Sequence, residues 1–307
     1  MRVWLPWDRP SDVLGDLPDD VKIDTFRRGL SVPESLGEVE FYVPEYMGAD
    51  PRVVEVLGQM PSLRVVQAQT AGYENLLPHL PDDATLCNAR GVHDASTAEL
   101  AMTLILASLR RIPPAVQAQD RGEWLTYDTF DDALADRTVL IVGYGSIGEA
   151  LERRLDGFEC EVLRVARRER PGVAPTEQLP ELLPRADVVV LMTPATDHTV
   201  GMVDATFLAH LKDDALLVNI SRGPVVDTDA LVAELGSGRI RAALDVTDPE
   251  PLPSGHPLWS APNLLITPHR GGASTAFPPR VARLVRDQLA RYVAGEPLHN
   301  VVAGPHR

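Results

Sequence analysis

A two-domain α/β protein built on doubly wound parallel sheets is the fold this sequence predicts, and three observations predict it. From Thr138 onward, unbroken runs of Val, Leu and Ile alternate with helical stretches, the pattern of parallel strands covered on both faces. The first of those runs opens into a glycine-rich turn. A chain of 307 residues, 44% hydrophobic, is also long enough to bury two cores of ordinary size.

The elements come in this order. In the N-terminal third, Arg2 to Leu5, Val21 to Phe26 and Leu63 to Gln69 read as short strands punctuated by Pro and Asp. Ala98 to Leu109 reads as a nearly all-apolar helix, with Ser96 and Glu99 as a capping box at its start. Apolar on every side, it predicts burial between domains or subunits. The middle of the chain then supplies strands at Thr138 to Val142, Glu161 to Val165, Asp187 to Met192, Ala215 to Ile220, Arg241 to Val246 and Asn263 to Thr267. Pro279 to Ala294 is an amphipathic helix, and the apolar stretch after it is placed to return to the first domain.

Bulk properties exclude several classes. A formal charge of −15 argues against general affinity for nucleic acid or anionic membranes. No apolar run reaches the roughly 18 residues of a membrane span, and the N-terminus carries no apolar leader. Cys87 and Cys160 are too few for a disulfide framework or a Cys-rich metal site, so a reducing cytoplasm is expected and a metal is not. Lys22 and Lys212 are the only lysines, which makes clustered arginines common by chance and discounts any argument from one alone.

The glycine-rich turn is Gly143-Tyr144-Gly145-Ser146-Ile147-Gly148, between a strand and a helix expected from about Glu149. The first glycine permits the tight turn, the second close approach of a pyrophosphate, and the third close packing of helix on strand. Free N–H groups at the helix start then face the phosphates. An NAD site places Asp or Glu about 20 residues further on, at the end of the second strand. This chain has Ala166-Arg167-Arg168 there, and guanidinium groups can hold a 2′-phosphate. NADP(H) is therefore preferred. NAD(H) stays open, because the arginines could be solvated and Glu169 is near enough to take a ribose.

Three later strand ends carry polar groups. Arg222 comes after Val218-Asn-Ile-Ser, Glu250 after Leu244-Asp-Val-Thr-Asp-Pro, and His269 after Ile266-Thr-Pro. Ligands of open parallel sheets bind at the carboxyl ends of strands. Reducing a 2-oxo acid needs a cation for its carboxylate and a proton donor for its carbonyl. Arg222 suits the first and His269 the second, while a carboxylate at Glu250 would favour the protonated imidazole and fix its tautomer. Taken singly, each has a plain structural alternative: a strand-end ion pair, a solvated loop acid, a core histidine.

From about Leu63 to Val302 these motifs resemble the D-isomer-specific 2-hydroxyacid dehydrogenases. The likeness rests on Val-Gly-Tyr-Gly-Ser-Ile-Gly, Val-Asn-Ile-Ser-Arg-Gly-Pro-Val-Val-Asp, Ala-Leu-Asp-Val-Thr-Asp-Pro-Glu-Pro-Leu and Asn-Leu-Leu-Ile-Thr-Pro-His. The resemblance implies Arg222, Glu250 and His269 as the catalytic trio and Asp245 as a contact to the nicotinamide carboxamide. It implies further cofactor contacts at Thr193, Pro194, Thr199, Ile220, Ser221 and Gly271, and backbone contacts to the substrate carboxylate at Ala71, Gly72 and Tyr73. It also implies two Rossmann-like domains with a cleft between them. Residues 1–97 plus 276–307 would form the discontinuous, flavodoxin-like substrate domain, and residues 98–275 the dinucleotide domain. A homodimer joined through the dinucleotide domain is implied as well, as is a small 2-oxo or 2-hydroxy acid substrate such as glyoxylate or hydroxypyruvate. The chain departs from the family at Tyr73-Glu74 in the substrate loop and at Arg270 after the histidine. Three other readings stand beside this one: a dinucleotide-sensing corepressor, a formate- or phosphite-type dehydrogenase, and a methyltransferase on a similar nucleotide fold.

Overall fold

The computed structural model describes residues 1–16, 20–47, 50–126 and 130–305. The chain forms two compact units, Met1–His93 with Thr275–Arg307 and Asp94–Ser274. The sequence reading sets its breaks at 97/98 and 275/276.

The first unit contains β1 (Arg2–Leu5), β2 (Lys22–Thr25), β3 (Val39–Tyr42), β4 (Val65–Gln67), β5 (Thr85–Cys87) and, from the far end of the chain, β13 (Val301–Ala303). Their order in the sheet is β13-β5-β4-β3-β1-β2. All pair in parallel except β13, which returns antiparallel to β5. Sequence reading passes over the strands β3 and β5. The helix Phe277–Ala294 starts two residues before its expected position and buries Val281, Val285 and Leu289. Gln288, fully buried, donates to Gln67 Oε1 at 2.8 Å and accepts from the His299 amide at 2.8 Å. That amide pins the helix to β4 and to the segment leading into β13, and the hydrogen bonds at both of its ends offset the cost of burying it.

The second unit is a seven-stranded sheet, ordered β12-β11-β10-β9-β6-β7-β8, in which every pairing is parallel. Its strands are β6 (Thr138–Val142), β7 (Glu161–Ala166), β8 (Ala174–Pro175), β9 (Val188–Leu191), β10 (Leu216–Asn219), β11 (Arg241–Leu244) and β12 (Leu264–Ile266). Strand side chains alternate between faces. Leu140, Val142, Val189 and Leu217 join Phe207, Leu208, Leu231 and Leu235 in one core. Val139, Ile141, Val188 and Val218 join Ala101, Leu104, Ile105 and Leu151 in the other. Each large apolar side chain buried in this way stabilises the unit by about 1.5–3 kcal/mol before entropy is counted.

One helix differs from its expected form. It spans Asp94–Leu109, so Ser96 lies buried inside its first turn and not at its cap. Glu99 and Thr103 are exposed, while Ala98, Ala101, Met102, Leu104, Ile105 and Leu109 are buried in the unit's own core. A strongly apolar composition conceals this one-sidedness, since Ala and Ser tolerate either face. Among the described residues, no helix is long and apolar enough to cross a membrane.

Candidate active site

Residues Asn219 and Leu244 are register partners, as are Leu244 and Ile266, so β10, β11 and β12 end level with one another. The loops that leave these three strands therefore emerge along one edge of the sheet. The glycine turn leaves β6 at the same edge, because β6 and β10 both run parallel to β9.

Within that turn, Gly143 has φ +95°, and a Cβ on it would stand 2.6 Å from both Met192 C and Thr193 N. Only glycine can take this conformation with backbone so close. The Gly143 and Tyr144 amides are spent on Val165 O, at 2.9 and 2.8 Å. Beyond them the helix Ser146–Leu155 begins at once, three residues before its expected start. Gly148 therefore sits in its first turn, where a Cβ would lie 3.3 Å from Ile141 Cγ2. Among the described residues, the N–H groups of Ser146, Ile147 and Gly148 find no acceptor. Thr193 Oγ1, buried across from the turn, has no partner either. Unmet donors at a helix start beside a turn that admits no side chain suit an anion such as a diphosphate.

At the end of β7 three arginines differ in their surroundings. Arg167 and Arg168 are exposed and make no hydrogen bond or ion pair among the described residues. Arg170, which sequence reading leaves aside, instead donates to the Tyr144 carbonyl and holds its guanidinium 5.5 Å from the centre of the Tyr144 ring. Arg164 lies 5.9 Å from the same ring and pairs with Glu152, to which the Tyr144 hydroxyl also donates. Arg164 holds the Glu152 carboxyl below its ordinary range, and burial together with Glu152 pushes the Tyr144 phenol up. Ala166 ends β7, half-buried.

Further along the edge, His269 Nδ1 lies 2.6 Å from Glu250 Oε1. His269 has φ +51°, a backbone conformation that a non-glycine residue holds only when its surroundings impose it. Asp245 imposes it. The Asp245 carbonyl accepts the His269 amide at 2.8 Å. The carboxylate, 2% exposed, accepts from Thr267 Oγ1 at 2.6 Å, from Arg270 N at 2.7 Å and from Gly271 N at 2.8 Å. The expected nicotinamide contact is thus a side chain whose two oxygens already hold the histidine turn.

Arg222 is placed by a second clasp. Asn219 Oδ1 accepts from the Ser221 amide at 3.0 Å and the Ser221 hydroxyl at 2.8 Å, while Asn219 Nδ2 donates to Arg222 O at 3.0 Å. Arg222 is half-buried, its Nη1 donating to Ser221 O at 2.7 Å. Gly223 then lies flush on the loop that carries Glu250, for a Cβ there would come 1.9 Å from Thr247 O. Sequence reading finds Arg222, Glu250 and His269 but passes over Asn219 and Gly223. The one available signal was an amide ending an otherwise apolar strand.

The remaining expected contacts divide. Ile220 and Ser221 are buried at the end of β10, and Gly271 is buried with its carbonyl accepting from Thr97 Oγ1 at 3.3 Å. Pro194 is exposed. The Thr199 hydroxyl turns into its own loop, accepting from Thr196 N at 2.8 Å and donating to Pro194 O at 2.5 Å. In the first unit, the turn after β4 is tied by Asn88 Nδ2 to Ala71 O at 2.8 Å and by Thr70 Oγ1 to Gly72 O at 2.5 Å. Among the described residues the Ala71 and Gly72 amides have no acceptor, and Tyr73 packs on that unit's core. No group of three or more His, Cys, Asp or Glu side chains among the described residues could hold a metal ion.

Known proteins resemble this chain in sequence and in fold. Residues 102–271 match the sequence model described as "D-isomer specific 2-hydroxyacid dehydrogenase, NAD binding domain". The human glyoxylate reductase/hydroxypyruvate reductase is 34% identical over 270 residues, covering 81% of this chain and 79% of that one. A D-isomer specific 2-hydroxyacid dehydrogenase from Xanthobacter autotrophicus, solved with NADPH and MES, superposes with a TM-score of 0.83 at 29% identity, over 98% of this chain and 97% of that one. An NADPH-dependent glyoxylate/hydroxypyruvate reductase from Sinorhizobium meliloti, solved with NADP and sulfate, gives 0.83 at 26% identity over 98% of each.

Proposed function

The chain belongs to the D-isomer specific 2-hydroxyacid dehydrogenase family, and from that membership we propose that it reduces a small 2-oxo acid of the glyoxylate or hydroxypyruvate kind with NADP(H). As a member it is an oxidoreductase that uses a nicotinamide dinucleotide. The observation that carries the finer reading is the 2.6 Å contact of His269 Nδ1 with Glu250 Oε1, one strand over from the Arg222 turn.

When bound, the nicotinamide supplies or takes the hydride. The residues supply the rest. The amides of Ser146, Ile147 and Gly148 would hold the diphosphate, and Gly145, where a Cβ would meet nothing within 4 Å, would let it approach. Arg222 pairs with the substrate carboxylate and polarises the neighbouring carbonyl. With Nδ1 engaged by Glu250, His269 presents Nε2, which donates a proton to the carbonyl oxygen in reduction and takes it back in oxidation. Glu250 holds the imidazole in place through Nδ1. Within the first unit, the amides of Ala71 and Gly72 have no acceptor among the described residues and can take a carboxylate, with Tyr73 beside them. Support for NADP(H) comes from Arg170 at the glycine turn, with Arg167 and Arg168 exposed nearby, and from the two neighbours solved with NADP or NADPH.

We also infer a homodimer. Trp124 is 93% exposed and Phe130 wholly so, and Ile112 and Val116 one helical turn apart are about half exposed. Large aromatics left in water on one segment are what an interface core uses.

Steady-state rates on a panel of 2-oxo acids, followed at the NADPH absorbance, test the reading. Turnover of glyoxylate or hydroxypyruvate with NADPH is expected, and inertness toward every 2-oxo acid would overturn it.

A further inference from the structure

The glycine turn is not purely cationic. Asp94, the first residue of the helix Asp94–Leu109, accepts a hydrogen bond from Ser146 Oγ at 3.2 Å, and Ser146 is the first residue of the helix Ser146–Leu155. Further along, Glu99 on the first helix pairs with Arg154 on the second at 2.9 Å. Contacts 94 to 146 and 99 to 154 mean that the two helices run the same way. Both positive ends therefore lie beside Asp94, whose carboxylate takes the Ser146 hydroxyl while the amides of residues 146 to 148 have no acceptor among the described residues.

We propose that Asp94 is an internal competitor of the dinucleotide's diphosphate, holding Ser146 and weakening cofactor binding so that the spent dinucleotide leaves. The inference rests on reading the glycine turn as the dinucleotide site. The diphosphate is drawn by the unmet amides of residues 146 to 148 and by the helix dipole. One hydroxyl away stands a carboxylate of the same sign. Its field opposes the incoming phosphates, and Ser146 Oγ must leave Asp94 to donate to them. Removing the charge should therefore tighten binding, which ordinary structural damage to a site does not do.

Asp94→Asn removes the charge and leaves an amide oxygen that can still accept from Ser146. Fluorescence titration with NADPH is expected to give a Kd about three- to tenfold lower than wild type, carried by slower dissociation in stopped-flow displacement. High salt should narrow the difference. Ser146→Ala keeps the charge and should bind no tighter than wild type. If Asp94→Asn fails to fold, Asp94→Ser, neutral and well suited to a helix start, carries the same test. A neutral variant that melts like wild type yet binds NADPH equally or more weakly would overturn the proposal. So would Ser146→Ala tightening as much as Asp94→Asn. A wild-type protein that binds neither NADPH nor NADH would instead sink the dinucleotide reading itself, a separate result.

Discussion

His269 and Glu250 meet through Nδ1 and Oε1 at 2.6 Å although 19 residues separate them in the chain, because adjacent parallel strands end level and deliver them to one edge. The contact leaves Nε2 as the ring nitrogen available to a substrate. His269→Gln should lower kcat by about 100- to 10,000-fold while changing the Kd for NADPH by less than about threefold. Glu250→Gln keeps a hydrogen bond but no charge, and should reduce kcat less than His269→Gln does. Equal losses of turnover and cofactor affinity in His269→Gln would make this histidine structural.

Gly223 tests whether the Arg222 turn and the Glu250 loop act as one unit. A methyl group at this position would overlap Thr247 O, so the turn must move away from the loop. Gly223→Ala should cut kcat/KM by about 100-fold or more and lower the melting temperature by several degrees, roughly the effect of 1–2 kcal/mol. Wild-type kinetics in this variant would show that the two segments are not coupled.

Arg170 is the arginine through which the proposed NADP(H) preference is tested. Its guanidinium is anchored at the Tyr144 carbonyl, whereas Arg167 and Arg168 have no such anchor among the described residues. A group already ordered forfeits less side-chain entropy on meeting a phosphate. Arg170→Ala should raise KM for NADPH by about tenfold and leave KM for NADH nearly unchanged, with smaller effects from Arg167→Ala and Arg168→Ala. An unaltered ratio of the two cofactors in Arg170→Ala would remove it from the recognition of the 2′-phosphate.

The dimer is checked by light scattering behind a sizing column. The wild-type chain, 33.5 kDa by composition, should elute at twice that mass, and Trp124→Ala with Phe130→Ala should shift it toward one. A wild-type monomer at micromolar concentration would end the proposal.

Much of this site is legible in the amino-acid order because its parts are local. The turn from Gly143 to Gly148 declares itself through glycines at positions where backbone must pass backbone, and the parallel sheet through Val and Leu runs that water would not tolerate. Arg222, Glu250 and His269 stand out as polar groups ending apolar strands. The rest depends on distance in space. Asp245 reads as a ligand contact, and only the fold shows its carboxylate gathering Thr267, Arg270 and Gly271 around the left-handed His269. The difference in surroundings among three nearby arginines is likewise invisible along the chain. Arg170 differs from Arg167 and Arg168 through its reach to Tyr144, 26 residues away, and no periodicity encodes that reach. The sequence alone therefore determined the sheet, the phosphate turn and the chemical groups at the edge, since each is dictated by what one short segment must bury or admit. Tertiary structure decided which groups touch, because hydrogen bonds between segments form only once packing has brought their strand ends level.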